Sequence, residues 1–253
     1  MYGQCVFETI AISNGKPCLL DSHLDRLCYG AKVLNIEVDR AVVAGEVLSL
    51  ATSLDKAIVR VNVTMGEGGR GYQNPSKQKT TRIVSLHDYP AHDKRYWSEG
   101  VMLGLAEVRL SKQPSLAGIK HGNRLEQIIA RSQWKEGWQE ALLLDSDDQV
   151  IEATQSNIFL IKNNKLVTPS LDASGVAGVM RQCVINEAKD NGFDVLIKPV
   201  SVDEVMRADE VFLTNSVIGI WPVNEFNQVK YNGFNIASKL LKNIINNEFI
   251  PTF

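Results

Sequence analysis

Lys56 to Met65 alternates without a break, with Ile58, Arg60, Asn62 and Thr64 on one side and Val59, Val61 and Val63 on the other. A period of two puts successive side chains on opposite faces of an extended chain, so this stretch is a β-strand with one apolar face. A single such strand is not stable in water, so the chain must build at least one sheet. A second period appears at Leu24, Leu27, Ala31 and Leu34, which recur at helical spacing after Asp21 or Ser22, either of which can cap a helix. Both periods recur along the chain. Further strands are predicted at 5–12, 81–86, 101–108, 140–144, 150–153, 157–161, 165–167, 193–197 and 211–214. Further helices are predicted at about 39–50, 123–135, 178–191 and 234–247, the third stopped by Asn191-Gly192. Ser13-Asn14-Gly15-Lys16 is a hairpin turn that Leu19-Leu20 is expected to close. Strands and helices mixed without strict alternation indicate α+β or mixed α/β in two lobes. Residues 111–118, with Pro114 and Gly118, are the expected linker between domains 1–110 and 119–253.

Composition narrows the function. The chain has 253 residues, 44% hydrophobic and 22% charged, which fits an ordinary globular protein of one large or two small domains. With 27 Lys+Arg against 29 Asp+Glu, the net charge of −2 argues against general electrostatic binding of nucleic acid. Apolar runs such as Ala141 to Leu144 are far shorter than the roughly 20 residues of a bilayer span, and no secretory leader is evident at Met1-Tyr2-Gly3-Gln4. Cys5, Cys18, Cys28 and Cys183 show neither CxxC spacing nor clustered histidines, so they are expected as thiols in a reducing cytosol, with no metal site.

Several segments carry possible chemistry. Gly66-Glu67-Gly68-Gly69-Arg70-Gly71 matches the dinucleotide fingerprint in letters, but Tyr72-Gln73-Asn74-Pro75 cannot open the helix that fingerprint needs. The stretch is a Gly-rich loop, and Arg70 at its tip is either a solvated side chain or a ligand for an anion. Gly175-Val176-Ala177-Gly178-Val179-Met180-Arg181 leads into a helix whose first N–H groups, at Val179 and Met180, suit a phosphate. Lys120 stands among small and apolar residues, where desolvation would expose a nucleophilic amine, although an isolated lysine is ordinarily a surface charge. His23 and Arg26 share a helix face with nothing local to mark them. Glu152 belongs to a strand, and the polar run Thr154 to Asn157 after it is a candidate ligand loop.

Taken in order, these pieces resemble the fold-type IV (class IV aminotransferase-like) pyridoxal-phosphate enzymes. That group holds branched-chain aminotransferases, D-amino-acid transaminases and aminodeoxychorismate lyases. The resemblance rests on Tyr2-Gly3 with Val6-Phe7-Glu8-Thr9, Ser22-His23-Leu24-Asp25-Arg26-Leu27, Tyr89-Pro90-Ala91-His92, Glu152 with Ser156-Asn157-Ile158-Phe159, Gly178-Val179-Met180-Arg181-Gln182 and Ala208-Asp209-Glu210-Val211. Gly68-Gly69-Arg70-Gly71-Tyr72 and Ala117-Gly118-Ile119-Lys120-His121 with Asn123-Arg124-Leu125-Glu126-Gln127 look particular to the lyases. The resemblance implies a small N-terminal α/β domain and a larger C-terminal β-rich, barrel-like domain with helices. It implies a homodimer in the cytoplasm, acting on a small molecule with no nucleic acid or membrane partner. Lys120 would carry pyridoxal 5′-phosphate and act as catalytic base, Glu152 would face the pyridine nitrogen, and Arg26, Val179, Met180 and Ser216 would hold the phosphate. Arg70, Thr9 and Asn215 are the candidates for binding substrate. The implied activity is conversion of aminodeoxychorismate to 4-aminobenzoate and pyruvate in folate biosynthesis. The alternatives are a D-amino-acid or branched-chain transaminase on the same fold and, more remotely, a non-catalytic cofactor-binding protein. Members usually have a further strand pair before the Tyr-Gly-x-x-x-Phe-Glu segment, so either the first sheet is smaller here or the chain starts further upstream.

Overall fold

Asn14 and Gly15 both take left-handed backbone angles, φ 49° and 76°. Two such residues in succession make the tight turn whose twist matches paired strands. It joins β1 (Cys5–Ser13) to β2 (Lys16–Pro17). β2 ends at Pro17, which has no N–H to extend the ladder, so Leu19 and Leu20 do not close the hairpin as expected. Leu19 instead turns through φ 52° and α1 (Leu20–Val33) begins at once, with neither Asp21 nor Ser22 as its cap. α2 (Arg40–Ala51) is capped by Asp39, whose carboxylate accepts the N–H groups of Ala41 and Val42 at 2.9 and 3.1 Å. β3 (Lys56–Thr64) and β4 (Thr81–Asp88) complete an antiparallel sheet of order β2-β1-β3-β4.

The computed structural model describes residues 2–68, 71–247 and 249–251, in two compact units. The first unit is this sheet with α1 and α2, the chain up to Pro90, joined by Ile119–Asn123 and a short C-terminal piece. One face of the sheet is apolar: Val6, Ile10, Ile12, Val59, Val61 and Val63 pack with Leu24, Leu27 and Ala31 of α1 and Val43 and Val47 of α2. The other face carries the alternate set. Thr9 lies opposite Arg60 and Arg60 opposite Ser85, while Phe7 lies opposite Asn62.

The second unit runs from Ala91 to Gly118 and from Arg124 to Asn247. It contains α3 (Arg95–Ser98), β5 (Val101–Leu110), α4 (Leu125–Ser132), β6 (Glu140–Asp145), β7 (Val150–Ala153), β8 (Asn157–Lys162) and β9 (Lys165–Pro169). Then come α5 (Val179–Asp190), β10 (Asp194–Lys198), α6 (Val202–Met206), β11 (Glu210–Asn215), β12 (Gly219–Phe226), β13 (Val229–Lys230) and α7 (Asn235–Asn246). The mixed sheet has the order β10-β9-β8-β11-β12-β5-β6-β7, with β13 beside β12. β5 pairs in parallel with both β12 and β6, which places it in this unit rather than in an N-terminal domain ending near 110. Residues 111–118, expected as a linker, also belong here, and Gly118 bridges to Val176. α4 is shorter than expected, because Gln133 leaves the helix and its side-chain oxygen accepts the N–H of Glu107 at 3.0 Å.

β6 is buried along its whole length. Leu142 and Leu144 enter one apolar core with Val101, Ile158 and Trp221, while Ala141 and Leu143 enter a second with Ala106, Leu110 and Ile151. β12 and α6 were not expected from sequence. Pro222 interrupts the strand pattern of β12, yet it sits opposite Phe212 in the ladder with β11. α6 is one short turn, held by a reciprocal cap between Ser201 and Glu204.

Candidate active site

In the first unit, period two puts Glu8 on the apolar side of β1 beside Val6 and Ile10, where it is only 1% exposed. A carboxylate there needs partners. α1 supplies them with two residues one turn apart. His23 Nδ1 lies 2.6 Å from Glu8 Oε2. Arg26 donates from Nε to Oε1 at 2.7 Å and from a terminal nitrogen to Oε2 at 2.5 Å, a two-pronged contact. Burial alone would raise the Glu8 pKa, but Arg26 and then His23 outweigh it and hold the group at about 2. Burial lowers the pKa of His23, whose Nε2 has no hydrogen-bond partner among the described residues. Arg26 is therefore no solvated surface charge; its guanidinium is held by the two oxygens of a buried carboxylate.

Lys120 is half-buried in the same unit, on a segment that runs beside β1. Its carbonyl accepts the N–H of Phe7 at 3.0 Å, and His121 bridges to Val6. The Lys120 Nζ stands 4.4 Å from the centroid of the Phe7 ring, and the Arg60 guanidinium stands 4.7 Å from that centroid. Arg60 is exposed, and no carboxylate pairs with it among the described residues. An amine and an unneutralised guanidinium thus share one aromatic ring, with Thr9 directly across the ladder from Arg60. Arg70 lies outside the described residues.

In the second unit, Glu152 of β7 is buried, and its Oε2 accepts the N–H of Val176 at 2.8 Å. Val176 leads to Gly178, the N-cap of α5, which provides no side-chain cap. A Cβ at Gly178 would stand 2.0 Å from Asn157 Oδ1, so this close approach requires glycine. Asn157 braces the segment by donating to the Val176 carbonyl at 2.9 Å. Val179, Met180 and Arg181 are buried, while the N-cap Gly178 is half-buried and Gln182 is exposed. α7 makes the contrast clear, since its first amides, Ile236 and Ala237, are bonded to the carboxylate of Glu210. Ser216 follows β11 in a tight turn set by Asn215, whose Oδ1 accepts the N–H groups of Val217 and Ile218 at 2.8 and 2.9 Å. The Asn215 amide nitrogen donates to the Gln155 carbonyl and to Ser156 Oγ. Both ends of that amide are engaged inside the unit, and Asn215 shapes the turn.

The family described as amino-transferase class IV matches residues 5–226, most of the chain. The chain belongs to the class IV aminotransferase family. The crystal structure of 4-amino-4-deoxychorismate lyase from Pseudomonas aeruginosa is similar, with 40% identity and a TM-score of 0.95 over 98% of this chain and 93% of that one. Aminodeoxychorismate lyase of Vibrio harveyi is 34% identical over 225 residues, 88% of this chain and 83% of the relative. A putative branched-chain-amino-acid aminotransferase of Methanocaldococcus jannaschii is 32% identical over 232 residues, 89% of this chain and 79% of the relative.

For this class IV chain, the structure gathers Glu152, Val179, Met180 and Ser216 in its second unit and Lys120, Arg26 and Thr9 in its first. Sequence reasoning missed Glu8 as the partner of Arg26, and Arg60 beside Phe7. A signal for Glu8 was present: a charged residue at the apolar phase of a strand, between Val6 and Ile10, calls for an internal partner. Arg60 carried no comparable mark, because a polar residue on the wet phase of a strand is ordinary.

Proposed function

We propose that this class IV chain is an aminodeoxychorismate lyase that works with pyridoxal 5′-phosphate and forms 4-aminobenzoate and pyruvate, a step of folate biosynthesis. The observation that carries the reading is the likeness to the Pseudomonas aeruginosa lyase across nearly the whole of both chains. The side chains suit the cofactor. The first turn of α5 has no side-chain cap and suits an anionic partner, and Val179, Met180 and the Ser216 hydroxyl are the donors for a phosphate. Arg26, held by Glu8, adds a fixed positive charge. Buried Glu152 suits a protonated ring nitrogen, and Lys120 is the amine that carries the cofactor. When bound, the cofactor supplies a carbonyl that accepts amines and a ring that takes up an electron pair.

Lys120 then acts as base. Its Nζ removes the proton from the ring carbon bearing the substrate nitrogen and holds it on the Phe7 face. Loss of that proton and departure of the enolpyruvyl group as pyruvate leave an aromatic ring, and the atoms balance without water, oxidant or amino acceptor. Arg60 binds one of the two substrate carboxylates, because it is an exposed guanidinium on the same ring as Lys120 with no carboxylate of the described residues against it. Arg70 is proposed for the other carboxylate, and Thr9 as a neighbouring hydroxyl. The test is purified protein supplied with aminodeoxychorismate and no keto acid. Equal amounts of 4-aminobenzoate and pyruvate are expected, and the reading is lost if neither forms while the protein transfers the amino group of a D- or branched-chain amino acid to a keto acid. That second outcome is the transaminase reading, which the likeness to the Methanocaldococcus relative favours.

The protein is also proposed to be a homodimer. α4 leaves Leu125, Ile128 and Ile129, spaced three and four apart on one face, 69%, 63% and 48% exposed. No helix among the described residues is long and apolar enough to cross a membrane. The four cysteines are unbridged thiols, which suits the proposed cytoplasmic location.

A further inference from the structure

Glu140 is the first residue of β6 and the roles assigned above leave it unused. It lies in phase with Leu142 and Leu144, fully buried. Burial pushes its carboxyl up to about 7, against hydrogen bonds that favour the ionised form. All of those bonds come from one strand connection and the residue next to it. The Thr154 hydroxyl donates to Oε1, the N–H of Ala141 donates to Oε1 at 3.2 Å, and the N–H of Gln155 donates to Oε2 at 3.0 Å. The Gln155 carbonyl and Ser156 Oγ in turn accept from the Asn215 amide nitrogen at 3.1 and 3.2 Å. Asn215 holds Val217 and Ile218, and the Ile218 carbonyl accepts the Trp97 indole N–H at 2.8 Å.

Two connections far apart in sequence thereby share one anchor. The 154–156 turn follows Glu152 by two residues and leads into Asn157, the brace of α5. The 215–218 turn carries Ser216. We propose that Glu140 is a positioning residue that locks both turns together through Gln155 and Asn215, so that Glu152, Ser216 and the start of α5 are set before the cofactor binds. The inference rests on the cofactor reading above and adds a residue that never touches the cofactor. Its energetic basis is preorganisation: turns already ordered in the unliganded protein do not lose that freedom on binding.

Glu140→Gln is the discriminating change because it keeps the volume. Each carboxyl oxygen accepts one backbone N–H, so either orientation of an amide sets an NH2 against a backbone donor. Ser156→Ala removes one of the two acceptors of the Asn215 amide and leaves the Gln155 carbonyl and the Glu140 contacts in place. The readout is hydrogen exchange at Val217 and Ile218 in cofactor-free protein, together with the dissociation constant for pyridoxal 5′-phosphate. Glu140→Gln should lower protection at these two amides by roughly tenfold and Ser156→Ala by less, and both should leave α7 unchanged. Glu140→Gln should weaken the cofactor by roughly tenfold and Ser156→Ala by less. Unchanged exchange at Val217 and Ile218, loss spread evenly over the second unit, or unaltered cofactor affinity would each overturn the proposal. If wild-type protein binds no cofactor, the cofactor reading fails and takes this inference with it. If wild-type protein binds and the variants match it, this inference alone fails.

Discussion

Replacing Glu8 by Gln tests how the first unit is held together. The carboxylate is buried among valines and isoleucines and stays ionised because Arg26 grips it with two nitrogens. At about 1.36 kcal/mol per pH unit, a fall from its ordinary value of 4.5 to about 2 corresponds to about 3 kcal/mol of native stability at neutral pH. That figure sits at the lower edge of the roughly 3–5 kcal/mol typical for breaking a buried ion pair. The sign follows from proton uptake. Below 4.5 the unfolded chain takes up a proton at Glu8 that the folded chain refuses until about 2, so the contribution is complete above 4.5 and lost as pH falls from 4.5 to about 2. A glutamine does not titrate. The gap between wild type and Glu8→Gln should therefore be about 3 kcal/mol at pH 7, shrink below pH 4.5 and close near pH 2. The assay is native-state hydrogen exchange at β1 and β3 amides. Trp97, Trp134, Trp138 and Trp221 all lie in the second unit, so tryptophan fluorescence would follow the wrong part of the chain. A gap that is small at pH 7, or that stays constant from pH 7 to pH 3, refutes the ionised, Arg26-bound assignment.

Arg60→Ala should lower kcat/KM by one to two powers of ten, the range expected for losing a charge-assisted contact of about 1.5–3 kcal/mol, with cofactor absorbance unaltered. Arg60→Lys should recover little of it, because an ammonium cannot make the two-pronged contact; steady-state kinetics that leave the alanine variant at wild-type efficiency would return Arg60 to an ordinary surface role. Glu152→Gln should keep the cofactor but lose most turnover, since a neutral amide does not hold a protonated ring nitrogen as a carboxylate does; a folded variant with wild-type rates counts against that role. Gly178→Ala sets a methyl 2.0 Å from Asn157 Oδ1 and should displace the start of α5, weakening inorganic phosphate and pyridoxal 5′-phosphate alike in a binding titration. Ile128→Glu on α4 should give a folded monomer by light scattering, and a dimer of unchanged affinity would exclude that face.

What the sequence determined by itself was local. The alternation at 56–65 identified β3, the Asn14-Gly15 pair identified the first hairpin, and Gly178 marked the start of α5, because each depends on a few consecutive residues whose period or backbone angles are intrinsic. Family resemblance named Lys120 and Glu152 as candidates for the cofactor. What only the tertiary structure decided was partnership. Whether Arg26 is a surface charge or the clamp on Glu8 depends on how α1 packs against the core face of β1. Whether Arg60 meets Phe7 depends on the register between β1 and β3, and a slip of one residue would turn Arg60 into the core. β5 moved from one lobe to the other because its hydrogen bonds go to β6 and β12. Glu140 looked like an ordinary strand residue until the 154–156 turn was seen bonded to it. Period and turn chemistry are written within a few residues, whereas the partner of a buried charge is settled by segments that meet only once the chain has folded.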